Sequence, residues 1–92
     1  MMKIDFDPVK DGNNRDKHGV SLTKGAAVLA DPERLEMLDI RFTHIEERLI
    51  AYGKVGERVW VCVFTMREQI HRIISVRKAN ERETRRYHNA RR

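Results

Sequence analysis

Residues 58–79, RVWVCVFTMREQIHRIISVRKA, carry the densest run of β-branched and aromatic residues in the 92-residue sequence. Two apolar runs, 59–66 and 70–76, flank the polar segment 67–69. Runs of this length that are rich in Val, Ile, Phe and Trp are typical of paired strands. The stretch therefore predicts a β-hairpin around which the rest of the chain is organised.

The predicted hairpin has two unlike faces, because side chains alternate along a strand. A turn centred on Arg67 and Glu68 places Thr65 opposite Ile70. One face is then almost wholly aliphatic, which suits packing under a helix. Its members are Val59, Val61, Val63, Thr65, Ile70, Arg72, Ile74 and Val76.

The other predicted face mixes rings, a histidine, a hydroxyl and a cation. Its members are Trp60, Cys62, Phe64, Met66, His71, Ile73, Ser75 and Arg77. Such a mixture suits a surface that handles RNA, and it equally suits a face covered by a second helix or a protein partner. A slip of one residue in register would exchange the two faces, because the turn has no Asn-Gly pair to fix it.

The length and composition indicate one small soluble domain, residues 1–92. A chain of this size can bury a modest core and is too short for two domains. The single cysteine, Cys62, excludes an internal disulfide framework, and its place in mid-strand favours a small core residue over a nucleophile. With no signal peptide and no long apolar run, the protein is expected to be cytoplasmic, with no membrane contact.

The net charge of +5 is concentrated at the C-terminal end. Residues 77–92 contain seven Lys or Arg and two Glu, whereas residues 1–76 contain twelve basic and twelve acidic residues. A neutral body with a basic end favours a polyanion or an acidic protein as partner. A well-solvated helix is the alternative explanation for the same pattern.

The N-terminal third predicts one short strand and two short helices. Residues 3–6, KIDF, alternate in polarity and form a candidate first strand, which the Asp-Pro pair at 7–8 ends. A loop with a short helix follows and is closed by Gly19. Ser21 is the predicted N-cap of a second helix, which the Asp-Pro pair at 31–32 stops.

The remainder of the chain predicts a meander and a final helix. Residues 35–78 indicate about four short antiparallel strands. Asn80 with Glu83 resembles a capping box for a helix from residue 81 to about residue 90. This helix has few apolar residues, so a surface role is predicted for it. The predicted fold class is α+β, with N-terminal helices, a sheet of about four antiparallel strands and a C-terminal helix.

Two groups of residues match one family pattern in order. The N-terminal group comprises Phe6-Asp7-Pro8, Lys10, Asn14, KHGVS at 17–21 and ADP at 30–32. The C-terminal group comprises Glu47-Arg48, Ala51, Gly53, Phe64-Thr65, Arg67, RIISVRKA at 72–79, Glu83 and Tyr87. With these residues at these separations, essentially the whole chain resembles the BrnT family of type II toxins.

The resemblance implies a RelE-like fold and a ribonuclease that stops translation. It also implies neutralisation by a BrnA-type antitoxin, which carries the operator-binding domain, so that operator DNA is contacted only through the antitoxin. A higher-order toxin–antitoxin complex is expected. The alternative from another functional class is a non-catalytic binding module that uses the basic C-terminal helix for protein or nucleic-acid contact.

The sequence predicts neither a metal site nor a cofactor. Its histidines, His18, His44, His71 and His88, lack paired metal-ligand spacing, and no phosphate loop or dinucleotide motif is present. A ribonuclease without a metal uses the ribose 2′-OH as nucleophile. That reaction needs a base, cations that stabilise the phosphorane and an acid for the leaving oxygen.

Three hairpin arginines within eleven positions are the predicted cations, together with Lys17. The predicted catalytic residues are Arg72, Arg77, Arg67, His71 and Tyr87. The predicted RNA-binding residues are Lys17, His18, Ser75, Lys78 and Glu83.

Each candidate also has an ordinary structural interpretation. Arg72 either pairs with a buried acid or binds phosphate at the sheet edge, and Arg77 either binds RNA or forms a surface salt bridge. His71 is a base or acid, or a structural strand histidine. Tyr87 stacks on a base or anchors the final helix to the sheet. Glu83 serves either the site or the helix cap alone. His18, beside a helix-ending glycine, is either a site residue or a capping or packing residue.

Overall fold

The computed structural model describes residues 2–42 and 46–90, so His44, Arg91 and Arg92 lie outside the described residues. Its elements follow in the order β1 (Lys3–Asp5), α1 (Pro8–His18), α2 (Lys24–Leu29), β2 (Leu35–Leu38), a 3-10 turn (Ile40–Phe42), β3 (Leu49–Val55), β4 (Arg58–Arg67), β5 (Ile70–Lys78) and α3 (Glu81–Asn89). None of the described helices is both long and apolar enough to cross a membrane.

The sheet has five strands in the order β1-β5-β4-β3-β2. Strands β2 to β5 form the predicted antiparallel meander, and the α+β class is confirmed. The prediction of about four strands, all antiparallel, was wrong. Strand β1 adds a fifth, and it runs parallel to β5, with Lys3 opposite Ile70. The polarity pattern of three residues marks a strand, but it carries no information about a partner so distant in the chain.

The hairpin turn lies at Glu68 and Gln69, one position later than predicted. Both residues have positive φ, 51° and 69°, which a two-residue turn of the type I′ kind requires. The strands consequently pair Arg67 with Ile70 and Thr65 with Arg72, so the predicted register was wrong by two positions here. A two-residue turn of this hand matches the twist of the two strands, and this match outweighs the weak turn propensity of Glu-Gln.

A β-bulge interrupts the hairpin between Val63 and Phe64. Val63 pairs with Ser75 and Phe64 with Ile73, which leaves Ile74 as the extra residue on β5. A bulge shifts the alternation by one, so every later side chain of β5 changes face. Ser75 therefore lies on the Val63 face, and the predicted face assignment was wrong beyond the bulge.

Helix α2, with Leu22 just before it, covers the mixed face of the hairpin. Leu22, Val28 and Leu29 belong to one core cluster with Trp60, Cys62, Phe64, Ala51, Ile73 and Val76. The prediction that this face is an open RNA surface was wrong, and the alternative, a face covered by a helix, is confirmed. Burial raises the pKa of the Cys62 thiol to about 12, in keeping with a core residue.

Helix α3 covers only one end of the opposite face. The capping box is present, with Asn80 accepting from the Glu83 amide and Glu83 accepting from the Asn80 amide. Tyr87 contributes more to the core than predicted, because it is 1% exposed and packs with Tyr52 and Val59. Its hydroxyl donates to Asp31, which also accepts from the Lys54 amide.

Helix α1 lies against the outer edge of β5. The helix begins after Asp7, whose carboxylate accepts from the Val9 amide, and ends at Gly19, which has φ of 76°. Asn14 is buried, and its amide exchanges two hydrogen bonds with the backbone of Val76, Nδ2 to O at 2.9 Å and N to Oδ1 at 3.1 Å. Asn14 thus continues the ladder beyond β1 and fixes the end of α1 beside β5.

The predicted N-cap at Ser21 was wrong. Helix α2 begins at Lys24, with Thr23 at the N-cap and no side-chain cap bond. The Ser21 hydroxyl instead donates to Asp11 of α1, whose same oxygen accepts from the Leu22 amide at 2.7 Å. The oxygen of the same hydroxyl accepts from the Thr23 amide at 3.1 Å, so Ser21 caps the turn that precedes α2 and not α2 itself.

Candidate functional site

A groove lies on the half of the sheet face that α3 leaves uncovered. It has a volume of about 420 Å³ and an aliphatic floor of Ile50, Val61, Val63 and Ile74. A second depression of about 270 Å³ shares five lining residues with it and extends the surface along α1 to Lys10. We call this continuous surface the α1–sheet groove. Its shared residues are Lys17, His18, Arg48, Ile74 and Ser75.

The bulge and the end of α1 together determine which polar side chains enter this groove. Because Ile74 is the extra residue, Ser75 and Arg77 share the face of Val61 and Val63. Because Asn14 holds α1 against β5, the last turn of α1 places Lys17 and His18 on the rim. Four predicted RNA-binding residues and one predicted catalytic residue therefore line one groove: Lys17, His18, Ser75, Glu83 and Arg77.

Arg77 is held by a two-pronged ion pair with Glu83. Nη1 and Nη2 of Arg77 donate to the two carboxylate oxygens at 2.8 and 2.7 Å. This pairing lowers the pKa of Glu83 and raises that of Arg77. Glu83 therefore does more than cap α3, since one carboxylate fixes both the helix start and the arginine in the groove.

The groove contains a second ion pair that the sequence did not single out. Asp39 is 2% exposed and accepts from Nε and Nη2 of Arg41, both at 2.9 Å. The Asp39 amide also donates to the carbonyl of Arg48 at 2.8 Å, which ties this segment to the start of β3. No periodic pattern marks these residues. The Asp-x-Arg spacing is the one sequence feature that could have indicated a local ion pair.

His18 is the only described histidine that lines the groove. Burial lowers its pKa, and the neighbouring charges of Lys17 and Arg77 lower it further. The lowered pKa favours the uncharged form of the imidazole, which is the form that can accept a proton. An uncharged imidazole beside several cations suits proton abstraction from an anionic substrate.

Two of the predicted hairpin arginines lie outside the groove. Arg72 lies on the same face of the sheet as the groove, but it pairs with Asp5 of β1 at 3.2 Å. This ion pair is partly exposed at the edge of the sheet. Arg67 is at the hairpin tip and contacts Glu46 at 3.5 Å. The structure therefore distributes the three arginines along the hairpin.

Three further candidates also lie elsewhere. His71 is on the face covered by the helices, with its ring 5.2 Å from that of Phe64. Tyr87 belongs to α3, and its buried side chain anchors this helix to the sheet. Lys78 is exposed at the end of β5, opposite Trp60. None of these three side chains lines the groove.

Within residues 2–42 and 46–90, no three His, Cys, Asp or Glu side chains are grouped so that they could hold a metal ion. The charged lining of the groove is instead dominated by basic side chains. Five cations, Lys10, Lys17, Arg41, Arg48 and Arg77, share it with two carboxylates.

The fold and the groove together define a small α+β protein with a cationic surface on one face of its sheet. The model of the ribonuclease toxin family BrnT, of type II toxin–antitoxin systems, matches residues 6–83. The chain belongs to this family. No curated protein matches it. Membership of a type II system implies an antitoxin protein as partner.

Proposed function

We propose that the protein is an endoribonuclease toxin that cleaves RNA in the α1–sheet groove without a metal ion and thereby blocks translation in the cytoplasm. The observation that carries the proposal is the position of His18 beside the basic side chains of an open concave surface, where burial and the charges of Lys17 and Arg77 lower the pKa of its imidazole. The RelE-like fold that the resemblance implies is part of the same proposal, supported by the antiparallel meander and the C-terminal helix.

In this reaction His18 removes the proton of a ribose 2′-OH, and the oxygen attacks the adjacent phosphorus. The phosphorane that forms carries additional negative charge, which Arg77 and Lys17 stabilise. The bond to the 5′-oxygen then breaks, and this oxygen takes a proton from solvent. The products are a 2′,3′-cyclic phosphate and a 5′-hydroxyl end. Arg72, on the same face but nearer the sheet edge, is a proposed contact for a phosphate further along the strand.

The proposal is tested by incubating the purified toxin with RNA in the presence of EDTA. Cleavage should persist, and the 5′ fragment should end in a cyclic or 3′ phosphate. Arg77→Ala should reduce the rate by about 10², since loss of one preorganised charge donor costs about 3 kcal/mol in the transition state. Arg77→Lys should restore only part of the lost cleavage rate, because lysine keeps the charge but lacks the two-pronged hydrogen-bonding geometry of arginine.

Arg85→Ala is the matched control for Arg77→Ala. Arg85 is an exposed arginine of α3 that also pairs with a glutamate, Glu81, at 3.0 Å, and it does not line the groove. The control should cleave at the wild-type rate. A strict requirement for a divalent ion, or equal rates for Arg77→Ala and the control, would contradict the mechanism.

We also infer that a BrnA-type antitoxin covers the groove together with the basic end of the chain. The support is charge: residues 77–92 carry a net charge of +5, and the groove beside them is cationic. The antitoxin should therefore compete with RNA, and growth arrest on induction should be rescued by the antitoxin gene. A complex whose interface lay only on residues 22–30 would refute this arrangement.

A further inference from the structure

The carboxylate of Asp39 is almost completely buried in the wall of the α1–sheet groove, while its partner is mostly exposed. The Arg41 side chain is 70% exposed, and Asp39 holds it through Nε, Nη2 and the backbone amide. Burial of a carboxylate is costly unless hydrogen bonds and a cation compensate for it. The buried carboxylate of Asp39 therefore serves to hold the guanidinium of Arg41 at the groove.

Arg77 shows a similar arrangement in the same groove. Its guanidinium is bound by both oxygens of Glu83, whose side chain is only 14% exposed. Both arginines and both carboxylates line the groove. The hydrogen bonds to Glu83 raise the pKa of Arg77, and the positive charge of Arg41 opposes this rise. Each arginine is thus held in place by its own carboxylate on one surface, where an anion that contacts both guanidiniums is favoured.

We propose that Arg41 and Arg77 form a two-arginine site for the phosphodiester backbone of the RNA strand, with Asp39 as the positioning residue for Arg41. This inference rests on the proposed ribonuclease function and adds a contact that the hairpin sequence did not indicate. Arg77 contacts the phosphate that the 2′-oxygen attacks, and Arg41 contacts a neighbouring phosphate. The aliphatic side chains of the groove floor offer no hydrogen bond to a base edge, and phosphate contacts by the two arginines carry no sequence information.

The test measures binding of a single-stranded RNA oligonucleotide with 2′-O-methyl riboses, which cannot attack the phosphate. Dissociation constants are determined over a series of KCl concentrations. Arg41→Ala should bind roughly tenfold more weakly, and the slope of log affinity against log salt should fall by about 0.7, the value for one phosphate contact on a single strand. Arg85→Ala removes the same charge from a similarly exposed arginine that does not line the groove, and it should leave the slope unchanged.

Arg41→Ala leaves the Asp39 carboxylate buried without this arginine, so the variant Asp39→Asn/Arg41→Ala is measured as well. Asp39→Asn alone should weaken binding several-fold, because it loosens Arg41. In the Arg41→Ala background the same change should cause no further loss of affinity, because the arginine that Asp39 positions is already absent. A purely structural role of Asp39 would weaken binding in both backgrounds, and this result would overturn its assignment as a positioning residue.

Cleavage of unmodified RNA by the wild-type protein is measured separately. If the wild-type protein cleaves RNA but Arg41→Ala leaves the salt slope unchanged, the two-arginine site is overturned and the ribonuclease function stands. Absence of cleavage combined with the expected slopes would refute the nuclease and retain the backbone-binding site. Equal loss of slope in Arg41→Ala and Arg85→Ala, or no binding by the wild type, would also overturn the site.

Discussion

Replacement of His18 by alanine is expected to lower the rate of RNA cleavage by about 10³, because a positioned general base contributes roughly 10² to 10⁴. In the proposed reaction His18 accepts the 2′-OH proton, and the other described histidines lie away from the groove. The loss should fall on the chemical step, so it should appear in kcat measured at saturating RNA rather than in KM.

The pH dependence of cleavage should identify the same residue. The pKa of His18 is lowered from its usual value of 6.5 by burial first, then by Lys17 and Arg77. A base acts in its unprotonated form, so the rate should rise with pH through this lowered pKa and level off above it. Lys17→Ala removes one source of repulsion, so the midpoint of the acid limb should move to higher pH even if the rate also falls.

His88→Ala is the matched control for His18→Ala. His88 is an exposed histidine of α3 and lines a depression away from the groove. Its replacement should leave the rate and the pH profile unchanged. Since His18 is the last residue of α1 and only half-buried, its own replacement should leave the thermal midpoint almost unaltered. A His18→Ala protein that cleaves RNA at the wild-type rate would refute the assignment.

Replacement of Gly53 by alanine should have the largest effect on stability. A Cβ at this position would lie 2.2 Å from the backbone oxygen of Val28 and 2.9 Å from its Cγ1. Helix α2 therefore packs directly on the backbone of β3 and must move to admit a methyl group. Overpacking against backbone should cost about 3 kcal/mol, which for a chain of this size is a fall in Tm of roughly 12 to 24 °C.

Gly12→Ala provides the opposite result in the same chain. Gly12 lies within α1, and a Cβ there would have nothing within 4 Å. Alanine in a helix interior is more favourable than glycine by roughly 0.5–1 kcal/mol, so Tm should rise by a few degrees. Thermal unfolding followed by circular dichroism measures both variants. An equal Tm for Gly53→Ala and the wild type would contradict the close contact between α2 and β3.

The sequence by itself determined the elements whose signals are local. The apolar runs marked β4 and β5, Gly19 marked the end of α1, and the capping box of Asn80 and Glu83 marked the start of α3. Each signal depends on hydrogen bonds or side-chain alternation among residues a few positions apart, which any chain with that local sequence shares. The same is true of the list of basic residues from which the groove draws Lys17 and Arg77.

Only the tertiary structure decided which of these residues meet. The bulge at Ile74 turns Ser75 and Arg77 to the open face, and the amide of Asn14 holds the end of α1 against Val76, 62 positions away. The burial of Asp39 beneath Arg41 likewise depends on the neighbouring strand. These arrangements minimise the free energy of distant groups packed together, so propensity and period, which describe neighbours along the chain, carry no information about them.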